Sequence, residues 1–143
     1  MMKKFEWIDH PSDAGFRAYG ENLAEVFENA ALALTEILVD TSKIGRKEEI
    51  EIEIEAEDKK ALLYDWLEHF LYLQGAENIV ASKFEIEEIT RREDYYKLRA
   101  KAWGERFEPD RHNPRTEVKA VTYHMMEIVE EEDRCSAQVI VDI

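Results

Sequence analysis

A stretch of strict alternation, residues 49–57, restricts the fold of this chain more than any other feature. Isoleucines occupy positions 50, 52 and 54, and glutamates occupy positions 51, 53 and 55. Successive side chains of a β-strand point to opposite faces, so the pattern predicts a strand with one face in the core and one in water. Asp58 follows and can cap a helix with apolar residues at helical spacing, namely Leu62, Leu63, Trp66, Leu67, Phe70 and Leu71.

An earlier helix is predicted by the same kinds of signal. Asn22 is followed three positions later by Glu25, the arrangement of a capping box. Apolar residues between positions 23 and 38 then recur at the spacing of one buried helical face. Gly75 is well placed to end the second helix.

Further strands are predicted by period-two patterns rich in β-branched and aromatic residues, at 3–9, 15–20, 83–90, 94–104, 118–129 and 137–142. Residues 105–117 contain Pro109 and Pro114 and are predicted to form a long loop. The expected fold is α+β, a mostly antiparallel sheet of about six or seven strands with two amphipathic helices packed on it. We expect a single domain spanning residues 1–143.

Charge restricts the possible partners. The chain has 33 acidic and 19 basic side chains and a formal net charge of −14. This balance disfavours direct binding to nucleic acid, which requires clustered Lys and Arg, and favours a cation or a basic protein surface. No apolar run is long enough for a membrane span and the first residues do not resemble a signal peptide, so a cytoplasmic protein is expected.

Common catalytic motifs are absent from the sequence. It has no Gly-rich phosphate loop, no Gly-x-Ser-x-Gly elbow and no Cys-x-x-Cys pair. Its one cysteine, Cys135, follows an acidic turn and is interpreted as structural or incidental. None of the four histidines has the i, i+4 helical spacing of a zinc site, and His69 is expected to be solvated or to pack within its helix.

Two acidic segments at opposite ends of the sequence could act together. Asp142 and the carboxylate of Ile143 end an apolar, strand-like run and offer hard oxygen ligands to a cation. Asp13 lies in an acidic loop near the start, where an ordinary turn residue is the alternative interpretation. Lys119, within the predicted strand 118–129, is either an edge lysine or a contact to an acidic group.

Three motifs in this order resemble archease. They are residues 9–15 (DHPSDAG), 117–124 (EVKAVTYH) and 141–143 (VDI), and the resemblance extends over essentially the whole chain. It implies a small α+β protein that is a cofactor of the RtcB-type RNA ligase of tRNA splicing. Such a protein is not an enzyme itself but promotes guanylylation of the ligase and its multiple turnover.

The resemblance also implies a site. The two aspartates that bind a divalent cation in archeases correspond to Asp13 and Asp142, with the Ile143 carboxylate as a third ligand. Oxygen ligands of this kind suit Ca²⁺ first, with Mg²⁺ or Mn²⁺ as alternatives. Lys119 corresponds to a lysine implicated in activity. The same motifs contain Asp9, His10 and His124, which are candidates for partner contact or activity.

Two alternative functions stay open from the sequence. A metal-dependent phosphoesterase would use Asp13 and Asp142 with one or more of His10, His112 and His124. A general chaperone of an RNA-processing enzyme would improve the solubility of its partner without changing the rate of reaction per folded molecule.

Overall fold

This computed structural model describes residues 3–10 and 13–143, but not the side chains of Asp9, His10 and Asp13. The described residues form eight β-strands and three helices. In chain order they are β1 (Phe5–His10), β2 (Asp13–Gly20), α1 (Leu23–Leu38), β3 (Glu48–Ala56), α2 (Lys59–Ala76), β4 (Ile79–Arg91), β5 (Tyr96–Arg106), α3 (Pro109–His112), β6 (Ala120–Val121), β7 (Glu127–Glu130) and β8 (Cys135–Asp142). A single 3₁₀ turn, Thr41–Lys43, lies between α1 and β3.

The described strands form two antiparallel sheets. The first has the order β1-β2-β8-β6, with β7 also paired to β8. The second has the order β3-β5-β4. Helix α1 packs against β2 of the first sheet and β4 of the second, and α2 packs beside α1. Two long helices on antiparallel strands confirm the predicted α+β class.

Both predicted helix caps are present. The Asn22 side chain accepts the backbone N–H of Glu25 at 2.9 Å, and the Asp58 side chain accepts that of Ala61 at 2.8 Å. Trp66 of α2 is fully buried and its indole N–H donates to the carbonyl of Phe27 in α1 at 2.9 Å. The two helices are therefore joined by a hydrogen bond as well as by apolar packing.

The alternating stretch forms β3 as predicted. Ile52 is 2% exposed, while the intervening glutamates are exposed to solvent. Across the sheet, Glu53 is opposite Arg99 on β5, and Arg99 in turn forms an ion pair with Glu88 of β4 at 3.1 Å. On the solvent face of this sheet, acidic side chains of β3 and β4 therefore lie on either side of a basic side chain of β5, an arrangement that favours cross-strand pairing.

The predicted strand 118–129 is wrong. Residues 120–121 form β6 and residues 127–130 form β7, but residues 118–119 precede the sheet and residues 122–126 leave it through a turn in which Met125 has φ of 55°. Both flanking strands still pair with β8, so the turn is an interruption of one edge. The split raises the strand number from the seven predicted segments to eight in the described residues.

Two further predictions need smaller corrections. Helix α2 continues through Gly75 to Ala76, and the left-handed residue that follows it is Asn78, with φ of 56°. The predicted loop 105–117 begins with the last residues of β5 and contains the one-turn helix α3. Among the described helices, none is both long and apolar enough to cross a membrane.

Candidate functional site

The register between β2 and β8 brings the two acidic segments to one end of the first sheet. Ala14 is paired with Val141, and Gly15 is paired with Ile140. One step further along these antiparallel strands are Asp13, which begins β2, and Asp142, which ends β8. The backbones of Asp13 and Asp142 therefore lie in adjacent positions, although the residues come from opposite ends of the sequence.

The first motif, residues 9–15, also places residues of strand β1 beside Asp13. His10 is opposite Asp13 in the pairing of β1 with β2, and Asp9 is opposite Ala14. Pro11 and Ser12 of the same motif lie outside the described residues. The predicted ligands Asp13, Asp142 and Ile143 thus stay a prediction, because the ligand atoms of Asp13 are not described.

Asp142 has the properties of an available ligand. Its side chain is exposed and has no hydrogen bond or ion pair with another described side chain, whereas the preceding Val141 is fully buried. Ile143 is 40% exposed. Within the described side chains no group of three or more His, Cys, Asp and Glu is placed to hold a metal. The predicted set also includes Asp13 of the first motif, whose side chain lies outside the described residues.

Lys119 lies beside Asp142 through a main-chain contact. Its backbone N–H donates to the Asp142 carbonyl at 2.7 Å, and the next residue, Ala120, is paired with Asp142. The Lys119 side chain is exposed and forms no ion pair with a described carboxylate. It directly precedes the two-residue edge strand β6, which agrees with the interpretation of Lys119 as an edge lysine, although the strand predicted at 118–129 included this residue.

Helix α2 holds this edge strand in place. Glu68 Oε2 accepts the backbone N–H of Val121 at 2.7 Å, so a helix side chain satisfies a donor that points away from β8. The rings of Tyr64 and Tyr123 stack with centroids 4.5 Å apart, and burial raises the pKa of both phenols. Glu68 has no signal in the sequence, because one glutamate on a helix gives no indication of the strand that it contacts.

His124 lies in the turn between β6 and β7 and its side chain is exposed. The turn is attached to the sheet by Thr122, whose backbone N–H and hydroxyl both donate to the carbonyl of Ile140, at 3.1 and 2.8 Å. Gln138 of β8 donates to the carbonyl of Met125 at 2.9 Å. The position of His124 is therefore set by β8, the strand that also ends in Asp142.

A buried charged cluster anchors the segment that leads to Lys119. Glu105 is 3% exposed and accepts hydrogen bonds from His112, the backbone N–H of Gly45, and Arg111. The hydrogen bond from His112 is the largest of the influences that lower the pKa of Glu105, from its usual 4.5 to about 2. The basic side chains of Arg111 and Lys47 act in the same direction.

His112 is not available as a metal ligand. It is fully buried, its Nδ1 accepts the backbone N–H of Glu108 at 2.9 Å, and its Nε2 lies 3.0 Å from Glu105 Oε2. With Nδ1 accepting, the ring carries its proton on Nε2 and donates it to Glu105. Both nitrogens are therefore occupied, which removes His112 from the ligands that the phosphoesterase alternative proposed.

His69 and Cys135, the other two residues with potentially reactive side chains, are both packed against other parts of the protein. His69 is half-buried on α2 between Phe70 and Tyr72, and burial lowers the pKa of its imidazole. Of the two expectations for His69, a solvated side chain or packing within its helix, these contacts favour the second. Cys135 is buried in the core at the start of β8, as its structural interpretation requires.

The fold and the end of the first sheet define the class of this protein. It is an α+β protein with two long helices, in which acidic residues from two distant segments lie at neighbouring strand ends. The family model described as "Archease protein family (MTH1598/TM1083)" matches residues 5–143. The chain belongs to the archease family. It is 46% identical over 143 residues to protein archease of Pyrococcus furiosus, covering 99% of this chain and all of that one. It is 48% identical over 142 residues to protein archease of Methanothermobacter thermautotrophicus, with the same coverage.

Solved structures share the fold. The solution structure of Methanobacterium thermoautotrophicum protein 1598 superposes with a TM-score of 0.83 at 43% identity, covering 99% of this chain and all of that one. The crystal structure of an archease described as a possible chaperone, from Thermotoga maritima, has a TM-score of 0.57 at 22% identity and covers 100% of this chain and 98% of that one. The second likeness concerns the fold alone.

Proposed function

We propose that this protein is a non-catalytic activator of an RtcB-type RNA ligase in tRNA splicing. It promotes guanylylation and multiple turnover of the ligase through a divalent-cation site formed by Asp13, Asp142 and the carboxylate of Ile143. Ca²⁺ is the expected ion, and Mg²⁺ or Mn²⁺ would suit the same oxygen donors. The protein would act in the cytoplasm with the ligase as its partner and without a strong direct contact to RNA.

The observation that carries this proposal is the register of β2 with β8, in which Ala14 is paired with Val141. It supports a shared role for Asp13 and Asp142, because adjacent antiparallel positions are close enough for two carboxylates to share one cation. A cation would also offset the repulsion between these two charges. Membership of the archease family supports the identity of the partner.

The surface charge supports docking to a basic enzyme. With a net charge of −14, the protein is attracted to a cationic surface of the kind that handles RNA. The cation site would then face the ligase, and Lys119, whose backbone is bonded to Asp142, would contact an acidic or phosphate group of that complex. Residues Asp9, His10 and His124 lie in the motifs around this sheet end and are proposed as further contacts.

The experiment is a guanylylation assay of the ligase with purified Asp13→Asn, Asp142→Asn and Lys119→Ala variants. Each variant is expected to lose stimulation while its folding, followed by circular dichroism, is unchanged. Asp133→Asn is the matched control, since Asp133 is an exposed aspartate in the turn before β8 and its replacement removes the same charge. Normal stimulation by all three test variants would show that the site is assigned to the wrong residues.

Cation binding can be measured separately by titrating the protein with Ca²⁺ in a calorimeter. The two aspartate variants should bind Ca²⁺ at least about tenfold more weakly, the loss that removal of even an outer-shell partner causes. Lys119→Ala should keep its Ca²⁺ affinity and lose stimulation alone. This pattern separates ion binding from contact with the partner.

The two alternatives make different predictions. A phosphoesterase would release product from RNA in the presence of Mn²⁺ without any ligase, and the buried hydrogen bonds of His112 weigh against it. A general chaperone would raise the yield of soluble ligase but leave the rate of guanylylation per folded ligase unchanged. Measuring that rate with a fixed amount of folded ligase distinguishes activation from chaperoning.

A further inference from the structure

A cavity of about 450 Å³ lies away from the proposed cation site, between the start of the chain, α1 and β4. Its lining includes Lys3 and Lys4, which precede β1, whereas the cation site lies at the other end of β1. The six residues of β1 span about 20 Å at the usual rise of a strand, so the two sites are separate.

The cavity is basic although the protein as a whole is strongly acidic. Four cationic side chains line it, Lys3, Lys4, Arg46 and Lys83. Lys3 forms an ion pair with Glu6, and the Lys83 ammonium lies 4.7 Å from the centre of the Trp103 ring. Lys4 and Arg46 have no ion pair or side-chain hydrogen bond with any described residue. Arg46 is therefore available to an external anion, whereas Lys4 also lies near enough to Glu28 for its charge to oppose the rise that burial causes in the pKa of that carboxyl.

Strand β4 contains a β-bulge beside this cavity. The register of β4 with β5 shifts between Ala81 and Lys83, which leaves Ser82 as the extra residue of a bulge. The Ser82 hydroxyl donates to the carbonyl of Ile44 at 3.1 Å, so the bulge holds the segment that carries Arg46. A bulge changes the direction of the side chains around it, and here those of Ser82 and Lys83 line the cavity.

Two carboxylates also line the cavity, and both are engaged by backbone groups. Glu28 Oε2 accepts the N–H of Ile86 at 2.8 Å, and burial raises the pKa of this carboxyl. Glu25 Oε1 accepts the N–H of Glu21 at 3.3 Å. These contacts direct one oxygen of each carboxylate to the protein backbone. With the charge of Lys3 offset by Glu6, three cations remain against the two acids that line the cavity.

We propose that this cavity binds a small phosphate-bearing molecule, with the phosphate held by Lys4, Arg46 and Lys83 and the apolar part packed against Leu32 and Phe84. Lys and Arg donate charge-assisted hydrogen bonds to phosphate oxygens, and Arg can donate two in parallel. The volume is within the range of small-molecule sites, whereas a nucleic-acid strand would need an extended groove.

The test is calorimetric titration of the full chain at low salt with inorganic phosphate, ribose 5-phosphate and AMP as separate probes. We expect saturable one-to-one binding of at least one of them. Tighter binding of AMP than of inorganic phosphate would support packing of the base on Leu32 and Phe84, and equal affinities for all three would contradict that packing. A ten-nucleotide single-stranded RNA is the fourth probe.

Substitutions of the lining cations test whether the phosphate binds in this cavity. Arg46→Ala and Lys4→Ala should each weaken binding by about tenfold, the effect of losing one hydrogen bond to a charged group. Arg106→Ala is the matched control, since Arg106 is an exposed arginine that does not line this cavity. Arg46→Lys, which keeps the charge, should retain part of the affinity. All four substitutions are at exposed positions, and circular dichroism verifies their folding.

Three results would overturn the proposal. They are the absence of binding by every small phosphate, equal binding by the wild type and the Arg46 and Lys4 variants, and binding by the RNA alone. None of these results bears on Ca²⁺ binding at Asp142, so failure here is distinguishable from failure of the proposed activator function.

Discussion

His112 and Glu105 are hydrogen bonded in the interior, with His112 Nε2 3.0 Å from Glu105 Oε2, and this contact closes the short segment between β5 and α3. Beyond it the chain is attached to the end of α1, where the backbone N–H groups of Arg115 and Thr116 donate to the carbonyls of Leu38 and Ile37. These contacts determine where the chain enters the motif that contains Lys119.

Replacing Glu105 by Gln should lower the free energy of unfolding by about 1–3 kcal/mol, because the buried donors around it lose a charged acceptor. The pKa of Glu105 in the folded protein, about 2, lies below its usual 4.5. Its stabilising contribution is therefore complete above pH 4.5 and is lost as the pH falls from 4.5 towards 2. Urea unfolding at several pH values measures both effects.

The control for this variant is Glu108→Gln, since the Glu108 side chain is 56% exposed in the same segment. It should change stability by less than about 0.5 kcal/mol, as is usual for surface positions. The difference in stability between wild type and Glu105→Gln should shrink as the pH is lowered through the stated range. A difference that stays constant down to pH 2 would contradict the assignment.

Gly104 and Gly75 should respond in opposite directions to replacement by Ala. A Cβ on Gly104 would lie 1.9 Å from the carbonyl oxygen of Val80 in the adjacent strand, so Gly104→Ala should cost about 3 kcal/mol. Gly75 is in helix α2 with open space around it, and Gly75→Ala should stabilise the protein by about 0.5–1 kcal/mol. Urea titration measures the pair, and equal effects would contradict the packing described.

Glu68→Ala should loosen the edge strand that follows Lys119. The backbone N–H of Val121 would lose its acceptor, so its hydrogen exchange should accelerate by about fivefold, the equivalent of one hydrogen bond of about 1 kcal/mol. Asp65→Asn on the same helix is the control, because the exposed Asp65 forms no described hydrogen bond. Unchanged exchange at Val121, measured by NMR, would show that Glu68 does not hold this strand.

Extending the chain beyond Ile143 should weaken Ca²⁺ binding, because the proposed third ligand is the carboxylate at that residue and an amide would replace it. Calorimetry on a protein with added C-terminal residues tests this, and the same residues added before Met1 serve as the control. Equal Ca²⁺ affinity in both proteins would remove Ile143 from the site and leave the two aspartates.

Elements with a strong local pattern could be predicted from the sequence. The alternation in β3 and the Asn22 and Asp58 caps depend on neighbours in the chain, and all three are present in the structure. The strand at 118–129 could not be predicted correctly, since residues with strand propensity lie on both sides of the turn, at 121–123 and at 128–129. The turn at Met125 is held by β8, whose Gln138 contacts the turn from elsewhere in the sequence.

The candidate site shows the same division. Asp13, Asp142 and Lys119 are candidates by residue type, and the resemblance to archease implies their roles, while the spacing of these residues in the chain says nothing about their proximity. The register of β2 with β8 decides that the two aspartate positions are adjacent. The phosphoesterase alternative included His112 as one of three optional histidine ligands, and burial beside Glu105 excludes it by occupying both of its nitrogens.

The sequence by itself determined the two long helices, most of the strands, the acidic charge and the residue types available for a cation. Those properties follow from side-chain periodicity and composition, which act over a few neighbouring residues. Only the tertiary structure decided that Asp13 and Asp142 are adjacent, that Glu68 supports the strand beside them, and that Lys4 and Arg46 line one cavity. Each of these relationships joins residues far apart in the chain, and it depends on the packing of sheets and helices rather than on any local pattern.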